Sequence, residues 1–179
     1  GLDGYARRQD TPIVGRDEEL AALSAAYREV CDGRAVRLVT VIGDAGQGKS
    51  RLVREVVDRI AAGAQVLRGR CLPYGDGITF WPLVGMVREA AGIRDDDPPE
   101  SARAKLLAAV GDEEVADRIA SAVGLHAAAF PLHELYWAAR KFIEGYAREG
   151  PVVALIDDIH WAEPAFLDLI EHILDAAKD

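Results

Sequence analysis

A chain of 179 residues that is 50% hydrophobic is long enough for one α/β domain with a substantial core. Its net charge of -9 argues against a surface that tracks nucleic-acid phosphates or anionic lipid, since both tasks need clustered Lys and Arg. The apolar runs are strand-sized, far short of the roughly 20 residues a membrane span needs, and the N-terminus lacks the apolar core of a signal peptide. The expectation is a cytoplasmic protein with no membrane contact and no direct nucleic-acid contact. Cys31 and Cys71 stand in no CxxC pair and near no His cluster, and read as core or near-core thiols.

Residues 1–11 mix Gly, Arg, Asp and Gln without periodicity, which predicts a flexible tail or linker and leaves 12–179 as the domain. From Asp17 onward Leu20, Leu23, Tyr27 and Val30 recur at helical spacing, with acidic residues in the first turn and Gly33 at the end. Residues 36–42, VRLVTVI, are β-branched and mostly apolar, and predict a buried strand. A Gly-rich loop follows. Leu52, Val53, Val56, Val57 and Ile60 then mark one face of a helix stopping near Gly63.

Residues 65–71 predict a second strand, residues 72–80 a loop and residues 81–91 a helix. The acidic connection at 94–99 leads to an Ala-rich stretch, 100–129, that reads as two short helices broken near Gly111. Leu132, Leu135, Ala139, Phe142, Ile143 and Tyr146 form an amphipathic face that ends near Gly150 and Pro151. An apolar strand at 152–156 ends in Asp157 and Asp158, and a last helix from Pro164 buries Phe166, Leu169, Ile170, Ile173 and Leu174. Strands alternating with helices imply an α/β fold with a parallel sheet flanked by helices.

GDAGQGKS, residues 43–50, satisfies the P-loop pattern G-x-x-x-x-G-K-[ST], and it stands between a predicted strand and a predicted helix. A triphosphate needs several backbone N–H groups pointing inward, and glycines let the chain wrap closely. The nucleotide-binding set is therefore Gly43, Asp44, Ala45, Gly46, Gln47, Gly48, Lys49, Ser50 and Arg51. In it Lys49 reaches the β and γ phosphates and the Ser50 hydroxyl joins a Mg²⁺ shell. The cofactors expected are ATP and Mg²⁺.

In VVALIDDIH, residues 152–160, Asp157 leaves a strand at its C-terminal end, where open α/β sheets bind ligands. It is the second candidate metal ligand, and Asp158 the candidate for polarising the attacking water beside the catalytic Lys49. Paired carboxylates in this place equally suit a helix cap or solvated turn. PIVGRDEEL, residues 12–20, reads first as a hydrophobic staple and an acidic first turn. Arg68, Arg70 and Arg140 read as surface ion-pair residues with a γ-phosphate contact as the alternative, and His160 as structural.

Taken together, these motifs resemble the AAA-like, signal-transduction (STAND-type) ATPase modules of large bacterial regulators. The matching features are Val14-Gly15-Arg16 with Glu19, the P-loop, Phe80-Trp81-Pro82-Leu83, and the run from Leu155 to Pro164. The resemblance implies that Ile13, Val14 and Arg16 lie against the base and ribose. It also implies neighbouring domains in the same polypeptide, in regulators with a LuxR-type DNA-binding domain or a class III adenylate cyclase domain; YGDGITFWPL, residues 74–83, is most similar to the cyclase-linked branch. In that family a sensor strand lies between the P-loop strand and the acidic strand, and it follows the acidic strand in sequence. The expectation is thus a partial domain, truncated after the Walker B strand and its helix, with a gap in the sheet or apolar edges open to self-association.

The function expected is a slow ATPase switch, with hydrolysis a property of the longer polypeptide. The alternatives are a P-loop phosphotransferase or GTPase, and a nucleotide-bound interaction scaffold without hydrolysis. A GTPase would show an NKxD run, which is absent here, and the intact Lys49, Ser50 and Asp157 speak against a scaffold.

Overall fold

The computed structural model describes residues 13–33, 36–73 and 79–176; the expected tail and the middle of the loop before Phe80 lie outside them. Helix α1 (Asp17–Gly33) has Asp17, Glu18 and Glu19 in its first turn, where their charge suits the positive end of the helix. Helix α2 (Lys49–Ile60) runs into a short 3₁₀ turn, Ala61–Gly63, and strand β1 (Gln65–Arg70) follows. Then come α3 (Trp81–Ala91), α4 (Pro99–Val110), α5 (Glu113–Ala122), α6 (Leu132–Ala147), β2 (Val152–Asp157) and α7 (Pro164–Ala176).

The local chemistry explains these boundaries. Pro82 and Pro99 occupy first-turn positions, where a missing N–H costs nothing. Helices α3 and α4 end on Gly92 and Gly111 in the left-handed conformation. Asp112 caps α5 by accepting the Val115 N–H at 3.1 Å. The two short helices expected around Gly111 are α4 and α5.

Strands β1 and β2 pair in parallel, in register from Gln65 with Val152 to Arg70 with Asp157. The ladder is extended at both ends, by Gln65 N–H to the Pro151 carbonyl at 2.8 Å and Cys71 N–H to the Asp157 carbonyl at 3.0 Å. The outer side of β1 is closed by α3. A Cβ on Gly69 would sit 2.4 Å from the Pro82 carbonyl oxygen, and one on Gly85 would sit 2.8 Å from the Arg68 carbonyl oxygen. Glu89 of α3 accepts the Arg68 N–H at 3.1 Å, so the helix occupies the place of a further strand.

Residues 36–42 depart from expectation: they form no strand, and Val36, Leu38, Val39 and Ile42 are exposed. A β-branched run becomes a strand only when another backbone completes its ladder, and among the described residues the sheet is β1 and β2 alone. Cys31 departs as well, being exposed, whereas Cys71 is buried.

The main core gathers Leu67, Leu83, Val87, Leu106, Ile119, Phe142, Phe166 and Leu169 from β1 and from α3 to α7. A second, smaller cluster joins Leu20 of α1 to Leu52 and Val56 of α2, with Ile13 and Val41 packed against it. Arg118 fastens α5 to α6 through Glu134 at 2.7 Å and lies over the rings of Phe130 and Trp137.

Replacing Gly69 with Ala should lower the unfolding free energy by about 1–3 kcal/mol, because backbone must move to admit the methyl group. Gly145→Ala, at an open helical position, should raise it by about 0.5–1 kcal/mol. Urea denaturation of the two variants beside the parent chain checks both signs.

Lys105 beside Asp97, at 2.6 Å, together with the Arg94 N–H at 2.7 Å, holds the Asp97 carboxyl below its ordinary range. Its folded pKa is depressed, so its contribution to stability is present above about pH 4 and is lost as the pH falls through the folded value. Asp97→Asn should therefore melt below the parent near neutrality, with the difference shrinking on acidification; thermal melts from pH 7 to pH 3 measure this.

Candidate functional site

Between residue 42 and α2 the chain turns on two glycines with positive φ, Gly46 at 83° and Gly48 at 81°. The loop is held from within: Gln47 N–H donates to the Asp44 carbonyl at 3.4 Å, and the Gln47 side-chain amide donates to Asp44 Oδ2 at 3.1 Å. Arg51 and Leu52 N–H groups donate to the Gly48 carbonyl at 3.1 and 2.9 Å, which starts the helix. Lys49 bends back, and its Nζ donates to the carbonyl oxygens of Gly43 at 2.7 Å and Asp44 at 2.9 Å. Its ammonium thus meets backbone dipoles rather than a carboxylate.

Helix α2 has no acidic residue in its first turn, which instead carries Lys49, Ser50 and Arg51. Cations at the positive end of a helix are locally unfavourable. The same arrangement concentrates positive potential on a loop whose conformation suits a wrapped anion.

The first box adjoins this loop. Arg16 Nη1 pairs with Glu19 at 2.6 Å, and its Nη2 donates to the Gln47 carbonyl at 3.2 Å. That guanidinium holds the Glu19 carboxyl below its usual value. Ile13 is drawn into the small core, while Val14 is 86% exposed and available to an apolar partner.

The acidic pair sits at the end of β2. Asp157 Oδ1 accepts the Asp158 N–H at 3.0 Å. Asp158 starts the 3₁₀ turn Ile159–Trp161 with φ 55° and ψ 38°, and its Oδ2 receives both Nε and Nη2 of Arg70, at 3.0 and 2.8 Å. Arg68 is held by Glu89 at 2.5 Å, and Arg140 Nε lies 3.5 Å from Glu144. His160 packs at a tilt against Trp161, with ring centroids 5.0 Å apart and ring planes 46° from parallel. Among the described residues no three His, Cys, Asp or Glu side chains gather as a metal cage.

Sequence reasoning placed Arg70 among surface ion pairs but did not find its partner. The parallel register, in which Arg70 lies abreast of Asp157, is the signal that identifies it.

Residues 12–179 match the family model described as the AAA ATPase domain. The chain belongs to this family. Membership implies nucleotide binding, with ATP the expected nucleotide. Among curated proteins, this AAA domain is similar to the "Uncharacterized protein R02095" of Rhizobium meliloti (strain 1021), at 30% identity over 91% of this chain and 17% of that protein. It therefore spans about a sixth of the length of the relative it matches. No solved structure matches it. No helix among the described residues is long and apolar enough to cross a membrane.

Gly48→Ala should cost about 1–2 kcal/mol, since the strain lies in the backbone: nothing stands within 4 Å of the added methyl. Gly150→Ala, in equally open space without positive φ, should show no such loss. Chemical denaturation of both variants separates conformational strain from crowding.

Proposed function

We propose that this AAA domain is an ATP-binding regulatory module, a slow ATPase switch within a multidomain bacterial signalling or transcription regulator. The observation that carries the reading is the state of Lys49. Its charge is held by two carbonyl oxygens, on a loop with Gly46 and Gly48 at positive φ and no carboxylate in the following helical turn. Exchanging carbonyl partners for phosphate oxygens replaces neutral acceptors with charged ones, which adds charge–charge attraction to hydrogen bonds the ammonium already makes.

In this reading residues 43–51 enclose the phosphates. The donor set also fits Mg²⁺, which keeps several waters and takes one or two protein ligands together with phosphate oxygens. Ser50 and Asp157 would hold it. When bound, Mg²⁺ neutralises charge on the phosphate oxygens. Asp158 accepts a hydrogen bond from the attacking water and orients it. Val14 and Ile13 contact the base from the apolar side, and Arg16 links that box to the phosphate loop through Gln47.

The regulatory role is supported by the relative, most of whose length lies outside the matched region. A γ-phosphate that orders loops around it biases the arrangement of adjoining domains of the same polypeptide. By motif resemblance, the neighbours proposed are a LuxR-type DNA-binding domain or a class III adenylate cyclase domain.

Calorimetric titration with ATP, ADP and GTP, with and without Mg²⁺, tests the reading. ATP should bind in preference to GTP. Lys49→Ala should weaken ATP binding about 10- to 100-fold, the loss expected for hydrogen bonds to a charged group. Asp157→Asn should abolish the gain from Mg²⁺. A preference for GTP, or unchanged ATP affinity in Lys49→Ala, overturns the assignment.

A further inference from the structure

The phosphate loop carries an acid of its own. Asp44 stands second in GDAGQGKS, and the other charged side chains of residues 43–51 are Lys49 and Arg51, both cations. A carboxylate within a cradle for anions opposes the ligand that the cradle binds. Bonds within the loop fix where this one sits. The Gln47 side chain folds back along the loop, and its Nε2 donates to Asp44 Oδ2 at 3.1 Å. Its Oε1 fills the space beside Gly43, where an added Cβ would stand 2.6 Å from it. The Gln47 carbonyl in turn accepts Arg16 Nη2 at 3.2 Å, and Arg16 is paired with Glu19.

Distance sets the size of the repulsion. The Asp44 carbonyl accepts Lys49 Nζ at 2.9 Å, so a phosphate in contact with that ammonium lies within about a Debye length, ~8–10 Å, of the Asp44 carboxylate. Charges interact over that range, and the repulsion grows with the charge of the ligand. A nucleoside triphosphate carries about one negative charge more than the diphosphate, with or without Mg²⁺. That extra charge sits on the terminal phosphate.

We propose that Asp44 is a specificity-determining residue of the phosphate loop: its carboxylate penalises a nucleoside triphosphate more than the diphosphate, and so narrows the preference that Lys49 gives to the γ-phosphate. The inference rests on the reading of residues 43–51 as the phosphate site. When two nucleotides compete for one site with similar affinities, occupancy follows the ratio of their concentrations. Asp44 therefore brings the domain towards reporting that ratio rather than the level of triphosphate alone.

Calorimetric titration of ATP and ADP into the intact protein and its variants, with Mg²⁺ present, measures the two dissociation constants. Asp44→Asn removes the charge and keeps an oxygen to accept Gln47 Nε2. It should tighten ATP binding about two- to fivefold, the scale of an exposed charge pair, and ADP binding by less. In 1 M salt, where the Debye length is about 3 Å, the gain should vanish. Gln47→Ala removes the bond, keeps the charge and should shift the two constants alike. Asp58→Asn makes the same change in net charge at an exposed position about 14 Å along α2 from Lys49, and should change neither constant.

Equal gains for ATP and ADP in Asp44→Asn, or a loss of ATP affinity, overturn the proposal. So does a change of the ATP to ADP ratio in Gln47→Ala as large as that in Asp44→Asn, which would assign the effect to the Asp44–Gln47 bond and not to the charge. If Lys49→Ala loses ATP affinity while Asp44→Asn binds both nucleotides as the parent does, the role of Asp44 falls and the phosphate site stands. If Lys49→Ala binds ATP as the parent does, the site itself falls and the proposal with it.

Discussion

Between residues 65 and 157 the chain closes a long loop through the ladder of β1 and β2, and α3 to α6 all lie inside that loop. Closing it costs conformational entropy before any contact inside it forms, and the strand hydrogen bonds alone do not offset that cost. The compensation comes from α3 packed against β1, α4 on α3, and α5 between α4 and α6. The requirement shows in the sequence as Gly69 and Gly85, where backbone approaches backbone too closely for a side chain. The same ladder sets Arg70 abreast of Asp157, so the candidate chemistry at the strand ends depends on the register that the core enforces.

The P-loop is anchored differently. It stands between Val41 and Leu52, both of which belong to the small cluster with Leu20, Val56 and Ile13 rather than to the main core. Fewer apolar side chains hold this part, and residues 36–42 contribute no ladder to it. Segments with few buried contacts are the ones whose local equilibrium a ligand shifts most readily, because binding energy there competes with a small stabilising term. Under the proposed function, a loop that binds phosphate from such a foundation would couple nucleotide occupancy to the position of α1 and α2.

The helices were legible from the sequence because their signals are local. The period of Leu132, Leu135, Ala139 and Phe142 and the break at Gly111 act within a few residues: α6 carries that period, and α4 ends and α5 begins on either side of Gly111. The P-loop was legible for the same reason, since its turn depends on Gly46 and Gly48 themselves. Residues 36–42 misled because a β-branched apolar run states only that a strand is possible; whether a partner completes it is decided elsewhere in the chain. The left-handed Asp158 and its bond to Arg70 left no local trace. An aspartate tolerates that conformation better than most residues, but what holds it there is a side chain 88 positions away.

An acidic chain that binds a triphosphate needs a local reversal of its field, and the distribution of charge supplies one. Arg68, Arg103 and Arg118 sit against carboxylates, as does Lys105, so their positive charge is largely cancelled where it stands. Lys49 donates to the carbonyl oxygens of Gly43 and Asp44 in its loop, and α2 opens with its positive dipole end and no acidic residue in its own first turn. Net charge governs long-range encounter, whereas a site is governed by the charges within about a Debye length, ~8–10 Å. A charge of -9 over the whole chain is therefore compatible with a positive phosphate loop. Asp157 and Asp158 add negative charge at the ends of the strands, where Arg70 provides the counter-charge of Asp158 and, under the proposed function, a divalent cation would provide that of Asp157.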